Sequence, residues 1–247
     1  MNQIIILGSA NAVAKIGQDN AHLLIRSSEK QIMVDCGNSP FARVSAAGGS
    51  ITEITDLILT HAHADHMGNL PLLLMDMWLE KRDQMLTIHG LEITLEKARA
   101  LLEVFDWQHW AGMFPIRFNR LSDTGNEGFI RGEDCVVSAL PVKHLVPTIG
   151  LRIAFSDGRV MAYSCDTEPC DNVLKLAQGA DILMQEAAGE AKGHTSPRQA
   201  GEIAMGAGVR KLVLIHYENR VDQDTIIAQV KNAFTGEVVL AHDLMTF

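Results

Sequence analysis

The densest group of reactive side chains is His61-Ala62-His63-Ala64-Asp65-His66, four metal-capable donors within six positions. Imidazole and carboxylate donors suit Zn²⁺, Mn²⁺ or Fe²⁺ without any thiolate. Alternation along the loop divides them, so that His61 and His63 can face one ion while Asp65 and His66 face a second. Ala62, Ala64 and Met67 are small or apolar, which argues against a merely solvated polar loop. A metal site needs donors from elsewhere, and three more stand where apolar runs end. His144 follows residues 134–140, Asp166 follows 159–164, and His216 follows 211–215. Each is a weak signal alone, but together they bring donors from four strand ends to one sheet rim, where ligands converge. A carboxylate such as Asp166 can bridge two cations through its two oxygens.

The elements that must position these residues are legible as runs. Strand-like segments at 3–7, 21–26, 31–35 and 56–60 open the chain, the last ending in the histidine loop. Ile32, Met33 and Val34 follow one another without alternation, as in a strand buried on both faces. Helices read at 67–81 and 92–105 around a short strand at 85–89, and strands follow at 134–140, 148–155 and 159–164. The last third alternates: helix 171–177, strand 181–185, helix 197–207, strand 211–215, helix 222–234, strand 237–240. Ser196 before Pro197, with Gln199 in the capping-box position, marks one helix start, and Gly208 marks its end. Strands first dominate and then alternate with helices, which gives two β-sheets flanked by helices. No linker or repeat divides residues 1–247, so one domain is expected.

Composition narrows the function. The 21 basic and 30 acidic residues give a net charge of −9, which excludes a strongly basic nucleic-acid binder. The cysteines (Cys36, Cys135, Cys165, Cys170) form no CxxC pair and read as free thiols. No apolar run approaches the ~20 residues that cross a bilayer, and the run at 4–7 is too short for a signal-peptide core. The expected location is cytoplasmic, with no membrane partner.

In this order, His61-x-His63-x-Asp65-His66, His144, Asp166 and His216 resemble the binuclear site of the metallo-β-lactamase fold superfamily. The flanking residues resemble its ribonuclease Z branch: Leu7-Gly8, Val34-Asp35-Cys36-Gly37, Leu59-Thr60, Leu70-Pro71, His144 through Pro147 to Gly150, Asp166-Thr167 with Pro169-Cys170, and Gly193-His194. The resemblance implies a four-layer αββα sandwich of two mixed sheets. It implies one ion on His61, His63, His144 and Asp166, and another on Asp65, His66, Asp166 and His216, with a bridging water. Two divalent ions, zinc first and Mn²⁺ or Fe²⁺ as alternatives, would lower the pKa of bound water from 15.7 to about 7 and favour in-line attack on phosphorus. Asp65 would orient or deprotonate that water, and Asp35 would either fix a histidine ring from behind or serve only as a strand-end turn. His194, just before a capped helix whose N-terminus favours an anion, would stabilise phosphoryl oxygens or protonate the leaving oxygen.

The chain also departs from that branch. Residues 152–159 pass between strands through a tight Asp157-Gly158 turn, with no room for a tRNA-gripping arm. Cys165 replaces the glycine usual before the bridging aspartate, and Tyr163 stands where an acidic partner of His194 is expected, so His194 is read as lacking that partner. The leading reading is a binuclear metal-dependent phosphodiesterase acting on a short RNA end, a cyclic nucleotide or another small phosphodiester. It would form no stable nucleic-acid complex, and the family suggests a homodimer. The alternatives are hydrolysis of a carboxylic ester, lactone or thioester by the same centre, and a non-catalytic sensor or scaffold stapled by metal. Trp107, His109, Trp110, Met113 and Phe114 form either a hydrophobic cluster holding helix 92–105 or a lid or dimer contact that stacks on a base. His22, His89, His109 and His242 have no converging partners in the sequence.

Overall fold

In the computed structural model, which describes residues 2–218 and 220–247, the chain builds two sheets in succession. The first half contains β1 (Gln3–Gly8), β2 (His22–Arg26), β3 (Gln31–Val34), α1 (Pro40–Ala46), β4 (Asp56–Ile58), α2 (Ala64–Met67), α3 (Leu70–Leu79), β5 (Leu86–Leu91), α4 (Glu92–Glu103) and β6 (Ile116–Leu121). The second contains β7 (Asn126–Arg131), β8 (Cys135–Val142), β9 (Thr148–Phe155), β10 (Val160–Tyr163), α5 (Asp171–Ala177), β11 (Ile182–Glu186), α6 (Pro197–Ala207), β12 (Lys211–Ile215), α7 (Gln223–Lys231) and β13 (Glu237–Leu240). The six-stranded sheet is ordered β1-β2-β3-β4-β5-β6 and the seven-stranded sheet β13-β12-β11-β10-β9-β8-β7. Both are mixed: β1 to β3 pair antiparallel and β3 to β6 parallel, while β7 to β10 pair antiparallel and β10 to β13 parallel.

Three apolar layers explain the uninterrupted hydrophobic runs. In β1, Ile4 and Ile6 point between the sheets, into a core shared with Val137, Leu151, Ile153 and Val213 of the second sheet. Ile5 and Leu7 point the other way, into the layer under Leu73, Leu74, Leu95 and Leu102. Behind the second sheet, Ala162, Leu183, Leu212 and Leu214 meet α5, α6 and α7 through Val173, Ala200, Ala204 and Val230. Both faces of the central strands are therefore buried, and a period of two cannot show in their sequence. The result is the expected αββα sandwich.

The differences from the sequence reading are local. The helix expected over 67–81 is α3, Leu70–Leu79, with Pro71 in its first turn; it is preceded by the unexpected short α2, which Gly68 ends. Helix α1 and strands β6 and β7 were not expected. β6 is an edge strand with Arg117 and Arg120 exposed, which masks its apolar alternation. The start of α6 is as read, with Ser196 and Gln199 forming a reciprocal capping box and Gly208 in the left-handed conformation at its end.

The aromatic segment after α4 is packing, not a free flap. Trp107, Trp110, Met113 and Phe118 lie against the helix-side core, the Trp78 and Trp110 rings are 5.4 Å apart, and the Trp78 indole donates to the Ala111 carbonyl at 3.0 Å. Trp110→Ala should therefore cost about 2 kcal/mol and lower Tm by roughly 4–8 °C with KM unchanged. A raised KM at unchanged Tm, measured by calorimetry beside steady-state kinetics, would support the lid instead.

Candidate metal centre

Four strand ends supply the side chains singled out in the sequence, and the fold brings all seven expected donors together. The loop after β4 carries His61, His63, Asp65 and His66, with the last two in α2. His144 follows β8, Asp166 follows β10 and His216 directly follows β12. The ligand-type atoms of His61, His63, His144 and Asp166 lie within 4.8 Å of one another, as do those of Asp65, His66 and His216.

The spacing can be tested against an ion. Nitrogen donors about 2.0–2.1 Å from a tetrahedral zinc stand about 3.4 Å from each other. On one side, His63 Nδ1 is 3.0 Å from His61 Nε2 and 3.2 Å from His144 Nε2, and Asp166 Oδ2 is 3.9 Å from each of those Nε2 atoms. On the other side, His66 Nε2 and His216 Nε2 are each 3.5 Å from Asp65 Oδ2 and 3.5 Å from Asp166 Oδ2. One oxygen of Asp166 thus faces both groups. His66 Nε2, Asp166 Oδ1 and both ring nitrogens of His216 are buried without a hydrogen-bond partner among the described residues. Orphaned buried polar atoms cost about 1–3 kcal/mol each, so this cluster suits divalent cations.

Titration behaviour agrees. Burial pushes the Asp166 carboxyl up, but the His216, His66 and His61 imidazoles outweigh it and hold it well below the usual carboxylate range. Burial pushes His66 down, yet Asp166 and Asp35 together raise it well above an ordinary imidazole. Burial lowers His61 far below that value, with the neighbouring His66 adding to the effect. Since ion binding must displace the protons of His66 and His216, ion affinity should weaken as pH falls.

Behind the donors stands a layer of acceptors. Asp35, fully buried, accepts from His66 Nδ1 at 2.8 Å and from the Thr60 amide and hydroxyl at 2.8–3.0 Å. Thr60 Oγ1 in turn lies 3.1 Å from His61 Nδ1. Asp35 therefore fixes a histidine ring and is more than a strand-end turn residue. Asp35→Asn should weaken divalent-ion affinity by about 10–100-fold; competition with a chromophoric chelator measures it, and an unchanged affinity contradicts the role. His144 Nδ1 donates to the Gly193 carbonyl at 2.6 Å, and Gly193 turns that carbonyl inward from a φ of 88°. Asp35, Cys165 and His216 also adopt positive φ values of 61°, 52° and 52° without being glycine. Such backbone costs on the order of 1–3 kcal/mol per residue and persists where the surroundings dictate it. Cys165 thus keeps the conformation that explains why glycine is usual there, and its buried thiol meets Thr60 Oγ1 at 2.9 Å.

His194 has an acidic partner after all, contrary to the sequence reading. Tyr163 is buried and the partner is Glu186, at the end of β11, whose Oε1 is 2.9 Å from His194 Nδ1. The same carboxylate accepts the amides of Thr167 and Thr195 on Oε1 and of Ala188 on Oε2. The three N–H donors favour the ionised form, against burial, which pushes the Glu186 carboxyl up. The hydrogen bond that His194 donates to Glu186 raises the His194 pKa above the ordinary imidazole value. The His194 ring stacks on His216 at 5.8 Å, placing it beside the donor cluster. Glu186 was missed because it is a lone acidic residue at a strand end, with no motif around it. His89 forms a separate buried pair with Asp56 at 2.8 Å, and His22 bonds the Asn20 carbonyl at 2.7 Å; neither joins the cluster.

Comparison with known proteins agrees with the fold. The chain is 24% identical, over an alignment 302 positions long including gaps, to ribonuclease Z of Methanothermobacter thermautotrophicus, covering 100% of this chain and 96% of that protein. Among solved structures, the metallo-β-lactamase fold protein YhfI from Bacillus subtilis superposes with a TM-score of 0.83 at 20% identity, covering 100% and 98% of the two chains. Human tRNase Z, short form, superposes with a TM-score of 0.78 at 22% identity, covering 99% and 98%. Residues 2–239 match the family model described as anti-Pycsar protein Apyc1. A ribonuclease Z-like chain on the metallo-β-lactamase fold, it belongs to the Apyc1 family.

Proposed function

We propose that this metal-dependent phosphodiesterase works with two divalent ions, zinc foremost, on small phosphodiesters such as a cyclic nucleotide or a short RNA end. His61, His63, His144 and Asp166 would hold one ion, and Asp65, His66, Asp166 and His216 the other. The observation that carries this reading is the convergence of seven donors around buried nitrogens and an oxygen that have no other partner among the described residues. When bound, the ions supply Lewis acidity and an activated water.

The chain's own residues supply the rest. Asp65, 16% exposed at its side chain and so more open than Asp166, orients the attacking water and accepts its proton. His194, held through Nδ1 by Glu186, keeps Nε2 for the substrate and donates a proton to the leaving oxygen. Ser196 caps α6 just beyond His194, so the positive end of that helix favours a bound anion. Small substrates are favoured because β9 and β10 are joined by a tight turn at Asp157-Gly158, leaving no arm to grip a large RNA. Two dications would add +4 against −2 from Asp65 and Asp166, so a locally positive site is compatible with the chain's −9.

One hydrolase unit spanning the chain fits a site built from both sheets, and a homodimer fits the exposed Leu72, Met75, Leu79, Val104 and Phe105 beside α3 and α4. A cytoplasmic setting fits the four free cysteines. No helix among the described residues is long and apolar enough to cross a membrane. A substrate panel on the metal-reconstituted enzyme, with His194→Ala as control, tests the proposal. Turnover of bis(p-nitrophenyl) phosphate and cyclic nucleotides is expected. Turnover of lactones or thioesters alone would select ester hydrolysis, and two bound ions without any turnover would select a scaffold.

A further inference from the structure

Three of the expected histidine ligands have their rings tied from behind: His61 Nδ1 by Thr60, His66 Nδ1 by Asp35 and His144 Nδ1 by the Gly193 carbonyl. His216 does not. Its Nδ1 is buried and has no partner among the described residues. Apart from its stacking on His194, the ring at this position is oriented through the main chain. The backbone of His216 is held at a φ of 52°, and its amide donates to the Ser9 carbonyl at 2.9 Å.

Ser9 is itself completely buried and is gripped by one carboxylate. Asp243 Oδ1 accepts the Ser9 amide at 3.0 Å and the Ser9 hydroxyl at 2.8 Å. Asp243 Oδ2 accepts the Asp19 amide at 2.8 Å and pairs with Arg43 at 2.9 Å, and Arg43 also pairs with Asp19 at 3.1 Å. Asp243 thereby joins three segments: both ends of the β1–β2 loop, α1 and the C-terminal tail. The tail is anchored on both sides. Ala241 donates to Leu214 of β12, and residues 244–247 pair with Ile4 and Ile6 of β1.

We infer that Asp243 is a positioning residue for His216, acting through Ser9 as Asp35 acts directly on His66. The inference rests on the two-ion reading of the site. It assigns a C-terminal carboxylate, outside the donor cluster, to the ion held by Asp65, His66 and His216.

The test is equilibrium binding of Zn²⁺ to the full chain, stripped by chelation, in competition with a chromophoric chelator, beside thermal melting. Wild type is expected to bind two ions. Asp243→Ala should keep one affinity and lose about 10–100-fold in the other, and Asp243→Asn, which retains one acceptor oxygen, should lose less. Met245→Ala weakens the packing of the same tail without touching these hydrogen bonds; it should lower Tm and leave both affinities unchanged. Equal weakening of both ions in the Asp243 variants, unchanged affinities, or the same selective loss in Met245→Ala would overturn the inference. Should Asp243→Ala not fold, Asp243→Asn alone carries the comparison. Wild type that fails to bind a pair of ions would instead overturn the site reading itself, whatever the Asp243 variants do.

Discussion

Asp166→Asn should leave the fold intact and remove nearly all turnover. The side chain is buried, and its Oδ2 stands 3.5–3.9 Å from four imidazoles contributed by three elements. Those imidazoles keep it ionised across the neutral range despite burial. Asparagine has the same shape, so packing is preserved, but it carries no charge and can place an amide donor where cations would sit. Losing a single preorganised electrostatic contact in an active site already costs about 10²–10³ in rate, and this carboxylate faces both donor groups. A fall in kcat/KM of at least about 10³ is expected, with fewer than two ions per chain by atomic emission. Circular dichroism should be unchanged. An enzyme that kept two ions and normal turnover would show that Asp166 bridges nothing.

His194→Ala should behave differently, lowering kcat by about 10²–10⁴ while both ions remain bound. Glu186→Gln separates positioning from proton transfer by its pH profile. The Glu186 carboxylate raises the His194 pKa. The donating imidazolium is therefore present below that raised pKa and is lost as pH climbs through it, giving an alkaline limb in kcat. With glutamine the charge is gone and the pKa falls, so the limb should move to lower pH. A limb that stays in place, or moves to higher pH, would mean that His194 does not donate the proton. Loss of an ion in His194→Ala would mean that it is a ligand instead.

How much of this was legible depended on locality. The histidine loop could be read because four donors fall within six residues, and His144, Asp166 and His216 because each ends an apolar run. Two sheets flanked by helices followed from the order of the runs, and the four-layer arrangement from the family resemblance; runs such as Ile4 to Leu7 show no alternation because their alternate residues serve two different cores. The role of Glu186 was not legible, since its meaning comes from His194 and Thr167, which reach it only when β10 and β11 are paired. Nor was Asp243, which lies 234 residues from the serine it holds. The helix break at Gly68 was hidden because Met67 adjoins the apolar run of leucines and methionines that begins at Leu70. Strands β6 and β7 were hidden by the arginines and short polar turns expected of sheet edges.

The central claim is that two cations share Asp166, and anomalous diffraction from crystals of the zinc-loaded protein tests it most directly. Two peaks about 3.5–4 Å apart, one among His61, His63 and His144 and the other among Asp65, His66 and His216, are the expected result. A single peak, or none within this cluster in crystals that carry zinc elsewhere, would contradict it.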